Sequence, residues 1–211
     1  MSPIHMPNTN DPRVRRTRAA LQEALGALMA EKSFSTITVL DLAARAGVNR
    51  VTFYAHFRDK YDLLEYGIRA SFRDRLQARL SPDAPFNPDN LALLIQIVCD
   101  FLAEINRHCP PPHAQFEPLM EKQVKAELVE VLQGWLSERP ARAGPDLAAK
   151  VASWAIYGAA VQWTEQDQRV SWKRFIHQVQ PMILASLQAP QARPHSEKSV
   201  RGASSSPDAA S

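Results

Sequence analysis

A chain of 211 residues, 45% of them apolar, is long enough to bury a core of its own and is not of the disordered or fibrous classes. Two cysteines, Cys99 and Cys109, are too few for a disulfide framework, and Cys99 falls in an apolar helical pattern where a small buried hydrophobe belongs. The formal charge is +3, but residues 1–60 hold nine Lys/Arg against five Asp/Glu and the rest holds sixteen against seventeen, so only the basic first quarter suits an anionic partner.

The opening MSPIHMPNTNDP lacks the apolar run of a secretory signal and reads as a loose arm over residues 1–11. The longest apolar stretch, LALLIQIVCDFLAEI from Leu91, is broken by Gln96, Asp100 and Glu104 and falls short of the ~20 residues that span a bilayer. No membrane partner and a cytoplasmic location are expected. With seven Gly and sixteen Pro punctuating apolar-periodic segments and no alternating strand pattern, the fold class is all-α.

The first helix is expected over about 12–31, with Ala20, Leu21, Ala24, Leu25, Leu28 and Met29 on one stripe. Arg13, Arg15, Arg16 and Arg18 stand at its start, where positive charge opposes the helix dipole, so they either seek an anionic partner or form a solvated face. In ITVLDLAARAGVNRVTFYAHF, Thr38 and Asp41 form a capping box, Leu42, Ala43 and Ala46 turn inward, Gly47 supplies the left-handed residue, and Asn49 caps the next helix. Phe53 and Phe57 can pack back, which leaves Arg50, Thr52, Tyr54 and His56 on the outer faces, able to meet base edges or phosphate oxygens. The alternative is an αα-hairpin whose polar residues face water.

A longer helix follows over about 59–80, then a loop, a largely buried helix over 89–108, the break HCPPPH, and a helix over 116–136. After ERPARAGP come two more, over about 146–165 and 171–188. The first is small along Ala148, Ala152, Ala155, Gly158, Ala159 and Ala160, and Pro181 lies within the second. Close approach of another helix is implied, either across a two-fold axis or within the monomer's core. Residues 190–211 carry almost no apolar content and read as a disordered tail.

The stretch TVLDLAARAGVNRVTFYAHFRDKYDLL resembles the signature of TetR-type transcriptional regulators, with the AGV turn, the TFYxHF helix and the Lys and paired Leu that begin the fourth helix. The resemblance covers about residues 13–66. It implies a three-helix DNA-binding domain over 12–58 with a helix-turn-helix, followed by a helical ligand-binding and dimerisation domain over 59–189. It further implies that Thr38, Tyr54, His56 and Lys60 contact phosphates and that Arg50 and Thr52 approach bases, with Arg16, Asn49 and Val51 completing the DNA-binding set. Val51 departs from the Gly or Ala frequent there, and either meets a thymine methyl or shifts the helix slightly.

Specific reading requires two copies on a pseudo-palindrome, so a homodimer through the last two helices is expected, most simply as a repressor released from its double-stranded DNA operator by a small-molecule effector. Pocket candidates are Tyr66, Phe72, Cys99, Phe101, Phe116, Met120, Trp135 and Trp154, with Asp100, Glu104 and His108 either adding polar groups or facing solvent. An enzyme reading has only His108, Cys109, His113 and Glu117 to offer, without the helical spacing of a strong ligand set. Neither catalysis nor a metal or cofactor is therefore expected. An interaction protein, or a DNA binder without sequence preference, is the remaining rival.

Overall fold

The computed structural model describes residues 11–108, 116–137, 145–165 and 171–188. Eight α-helices and no strand are found among them: α1 (Pro12–Glu31), α2 (Val39–Arg45), α3 (Arg50–His56), α4 (Lys60–Arg79), α5 (Pro88–His108), α6 (Glu117–Ser137), α7 (Pro145–Glu165) and α8 (Trp172–Gln188). The tail expected over 190–211, and the arm apart from Asp11, lie outside the described residues.

Local chemistry sets the boundaries of the first four helices. Asp11 accepts from the Arg13 amide at 2.8 Å and Pro12 occupies the first turn, where its missing N–H costs nothing. Thr38 and Asp41 exchange side-chain and backbone bonds in the expected capping box, and the Asn49 side-chain oxygen Oδ1 accepts from the Thr52 amide at 2.7 Å. Asp59 accepts from both Tyr61 and Asp62 amides to open α4. Between α2 and α3 the chain turns through Gly47 at φ 67°, a left-handed conformation that a Cβ would strain.

Two apolar clusters organise the chain. One gathers Leu21, Leu25 and Leu28 of α1, Phe34 and Ile37, Leu42, Phe53 and Phe57, and takes in Leu63, Leu64 and Phe116. The head's core therefore extends into α4 and reaches the residue that precedes α6. Phe34 stands edge-on to Phe116 at 4.8 Å between centroids, an aromatic contact that ties the head to the body. The larger cluster surrounds α5, whose Leu91, Leu94, Ile95 and Val98 are fully buried among α4, α6, α7 and α8. That stripe is the one the spacing predicts.

Lateral ion pairing fixes α4 against α6. The Glu127 carboxylate, 4% exposed, accepts from Arg69 Nε and from Arg73 Nε and Nη2, while Glu130 outside it accepts from Nη2 of both arginines. Burying a carboxylate costs several kcal/mol unless its lone pairs are filled, and here two guanidinia fill them. No helix among the described residues is long and apolar enough to cross a membrane.

Candidate nucleic-acid interface and internal cavity

Short α3 presents two faces of opposite character. Phe53 is fully buried and Phe57 nearly so, whereas Val51 is 79% exposed and Tyr54 51% exposed. Arg50 is exposed as well, its guanidinium carbon 5.9 Å from the Tyr54 ring centroid. A cation, a phenol and a methyl-bearing side chain thus project together from a helix narrow enough for a major groove. Thr52 is half-buried, and its hydroxyl donates to Asn49 Oδ1 at 3.0 Å. Thr38, exposed at the start of α2, keeps its hydroxyl on Asp41 at 2.8 Å, and Arg16 is exposed on α1.

Three further side chains in this region are held from within. Lys60 Nζ donates to the carbonyls of Phe34, Ser35 and Ile37 at 2.8, 3.0 and 2.8 Å, and lies 4.7 Å from the Phe34 ring centroid. All three ammonium protons serve the turn before α2, so in the DNA-free protein Lys60 braces the head internally. Arg18 lays its guanidinium against the rings of Tyr66 and Phe57 at 5.1 and 5.7 Å. Beside it, His56 Nδ1 is buried without a hydrogen-bond partner among the described residues. Burial first, and the Arg18 charge second, push the His56 pKa below its ordinary value, so the imidazole is neutral near pH 7.

Electrostatics around α2 stabilise its placement. The Lys32 ammonium, followed by the Thr38 donors, lowers the Asp41 carboxyl to about 2. Arg45 makes a bidentate pair with Glu31 at 2.7 and 2.8 Å, joining the ends of α1 and α2.

Behind the head lies a cavity of about 520 Å³. Met29 of α1 and Leu64 and Ile68 of α4 form one wall, Leu102, Ile105 and Asn106 of α5 a second, Phe116, Glu117 and Met120 a third, and Tyr157, Val161, Thr164 and Glu165 of α7 the fourth. Its size suits a drug-sized molecule. A smaller groove of about 300 Å³ shares Met29, Leu64, Ile68 and Ile105 with it and opens toward Gly26, Gly67 and Phe101.

Of the eight pocket candidates drawn from the sequence, Phe116 and Met120 line the large cavity. The other six stand elsewhere, most of them because aromatic and soft side chains at helical spacing were drawn into packing, and Trp154 because its face of α7 is uncovered. Phe72 and Cys99 are sealed in the body core, with the Cys99 thiol pushed up to about 12 by burial and then by Asp100. Phe101 faces the smaller groove. Tyr66 packs on Phe57 and Arg18, and Trp135 donates from Nε1 to the Ala84 carbonyl at 2.8 Å beside a separate cavity. Trp154 is 60% exposed, with Lys125 Nζ 5.3 Å from its ring centroid.

Asp100 pairs with Arg79 and Glu104 with Arg75, both at 2.6 Å. Cys109, His113 and the His108 side chain lie outside the described residues, among which no group of three or more metal-ligating side chains occurs. The cavity residues that sequence reasoning missed carried a legible signal: Leu64 and Ile68, Leu102 and Ile105, and Tyr157, Val161 and Thr164 each recur at helical spacing. What the spacing lacked was which partner each stripe meets.

Residues 22–66 match the model of the bacterial regulatory proteins of the tetR family. Those residues therefore carry the N-terminal segment typical of the tetR family. The matched segment runs from α1 through the helix-turn-helix of α2 and α3 into α4, and the helical body lies beyond it. The uncharacterized HTH-type transcriptional regulator YxbF of Bacillus subtilis (strain 168) is 39% identical over 77 residues, which cover 35% of this chain and 20% of YxbF. The match thus spans about a fifth of the length of that curated relative. A TetR transcriptional regulator from Streptococcus agalactiae 2603V shares the fold at a TM-score of 0.51 and 19% identity, over 83% of this chain and 97% of its own. The regulator FadR from Bacillus subtilis, solved with stearoyl-CoA, superposes at a TM-score of 0.47 with 17% identity, covering 82% of this chain and 97% of its own.

Proposed function

We propose that this TetR-family chain is a ligand-responsive transcriptional repressor that binds a pseudo-palindromic double-stranded operator as a homodimer. The observation that carries the reading is α3, where Arg50, Val51 and Tyr54 are exposed together while Phe53 is wholly buried. Arg50 approaches base edges, Val51 offers a thymine methyl its contact, and Tyr54 reaches phosphate. Arg16, Thr38 and the helix-opening Asn49 flank them at the backbone, Thr52 is held ready by Asn49, and His56 and Lys60 position the helix from behind.

Dimerisation is supported by α7, whose Leu147, Val151 and Trp154 are exposed by 62, 42 and 60% along one face that continues through Ala155 and Gly158. Met182 of α8 adds an apolar side chain 73% exposed. Pairing this face with its two-fold copy makes a four-helix bundle and covers apolar surface that a monomer leaves in water. The internal cavity supplies a place for the effector. Phe116 and Leu64 line it and also belong to the head's core, so an occupant acts directly on the packing that aims α3. A coupling of ~1–3 kcal/mol would change operator affinity roughly 5- to 150-fold.

Selection of bound sequences from a random double-stranded pool tests the reading. An enriched inverted repeat supports it, and Arg50→Ala should then relax preference at one position of each half-site. Survivors without a motif, retained only at low salt, would refute sequence-specific regulation. For the dimer, Trp154→Glu should shift the sedimenting species to monomer, and an unchanged dimer would move the interface away from α7.

A further inference from the structure

The large cavity differs from the smaller ones in its electrostatics. In the groove beside Phe101, the Glu104 carboxylate faces Arg75 at 2.6 Å. In the cavity beside Trp135, Arg73 stands against both Glu127 and Glu130. Each of those carboxylates has its counter-charge within the same wall. Among the described residues the large cavity carries Glu117 and Glu165 and no Lys, Arg or His in its lining, and neither carboxylate enters an ion pair.

Backbone dipoles reinforce that sign. Asn106 lies in the last turn of α5, and Thr164 and Glu165 end α7, so two helix C-termini, each worth about half a negative charge, point toward the same rim. One N-terminus, that of α6, also reaches the cavity, but its first-turn Glu117 answers its partial positive charge. Away from the rim the walls are apolar, formed by Leu102, Ile105 and Val161 and by the buried Tyr157 ring. Burial and then Glu121 and Glu117 push the Tyr157 hydroxyl up, so it stays protonated and neutral.

An apolar chamber rimmed by two carboxylates with no counter-charge among the described residues, and by helix C-termini, disfavours an anionic guest and attracts a cation more strongly than a neutral hydrogen-bond donor. We infer that the effector is an amphipathic organic cation, an ammonium group carried on an apolar body, with the cationic head between Glu117 and Glu165 and the body against α5 and α7. This rests on the ligand-responsive reading above and deepens it. Because Met29, Leu64 and Ile68 form the wall on the head's side, the apolar body sits at the joint between α1 and α4.

Calorimetric titration of the full chain with octyltrimethylammonium, octanoate and 1-octanol, all below micelle formation, tests the assignment. The cation should bind about tenfold more tightly than octanoate, and the double substitution Glu117→Gln with Glu165→Gln should remove most of that preference while the melting temperature is kept. Octanoate binding as tightly as the cation, a preference that survives the double substitution, or no binding by any probe would overturn it. The cavity-filling variant Met120→Trp judges responsiveness without any probe. If it changes operator affinity while the cation fails to bind, the ligand class is wrong and the responsive reading stands, and if it changes nothing, the responsive reading falls too.

Discussion

Replacing Lys60 by Met keeps the side chain's length and apolar stem and deletes its three donors. The carbonyls of Phe34, Ser35 and Ile37 then lose charge-assisted partners at 2.8, 3.0 and 2.8 Å, and the Phe34 ring loses a cation 4.7 Å from its centroid. Part of this site is open to water, which can re-satisfy the carbonyls, so each bond is credited with only ~0.5–1 kcal/mol and the ring contact with ~0.5. The expected loss is about 2–3.5 kcal/mol, which for a chain of this length lowers the melting temperature by about 4–14 °C. Calorimetry of the protein without DNA measures it, alongside the salt dependence of binding to a fixed duplex. Bracing of the head predicts lower stability with an unchanged salt slope. A variant that melts with the parent while its salt slope falls by about one would show that the ammonium leaves these carbonyls for a phosphate, and would refute the internal role.

Other perturbations follow from the same packing. Glu127→Gln removes the charge at the centre of the α4–α6 clamp and should cost about 2 kcal/mol in chemical denaturation, whereas Glu130→Gln, on the half-exposed rim, should cost no more than about 0.5. Gly26 sits inside α1 with no atom within 4 Å of where a Cβ would stand, so Gly26→Ala should gain up to about 1 kcal/mol in thermal unfolding. Gly158 has the same open surroundings within one chain, yet Gly158→Ala should weaken self-association in sedimentation if its face approaches a second copy closely. Asp41, lowered to about 2 first by Lys32, gives stability that is complete above its ordinary value near 4 and is lost as pH falls toward 2, and Asp41→Asn should flatten that limb of an acid titration. His56 has a folded pKa below its ordinary value, so the unfolded chain binds the proton more readily and stability falls as pH drops below about 6.5, an effect that His56→Gln should abolish.

Much of the head was legible because its signals are local. A capping box, a left-handed glycine and a pair of phenylalanines four apart each act within one or two turns, so Thr38, Gly47, Phe53 and Phe57 announce their roles in the sequence alone. Helical periodicity likewise sets out the elements from α1 to α8, and the α5 stripe is buried as its spacing requires.

Tertiary structure decided what each outward or inward face meets. Lys60 and the carbonyls it holds are 23 to 26 positions apart, and no short-range pattern marks that ammonium as internal. Trp154 and Trp135 have the same chemistry and similar helical settings, but one is left in water on α7 and the other is pinned to Ala84, because the helices that could cover them lie at different distances in space. The cavity is a property of four walls brought together from five helices. Glu117 and Glu165 read in the sequence as ordinary surface acids near helix ends, and only the fold places both on one apolar chamber, where no counter-charge stands among the described residues. Backbone and capping preferences are summed along the chain, while burial and charge pairing are summed over neighbours in space. The sequence by itself therefore determined the helices and the outward face of α3, and the tertiary structure alone decided the chamber and the internal place of Lys60.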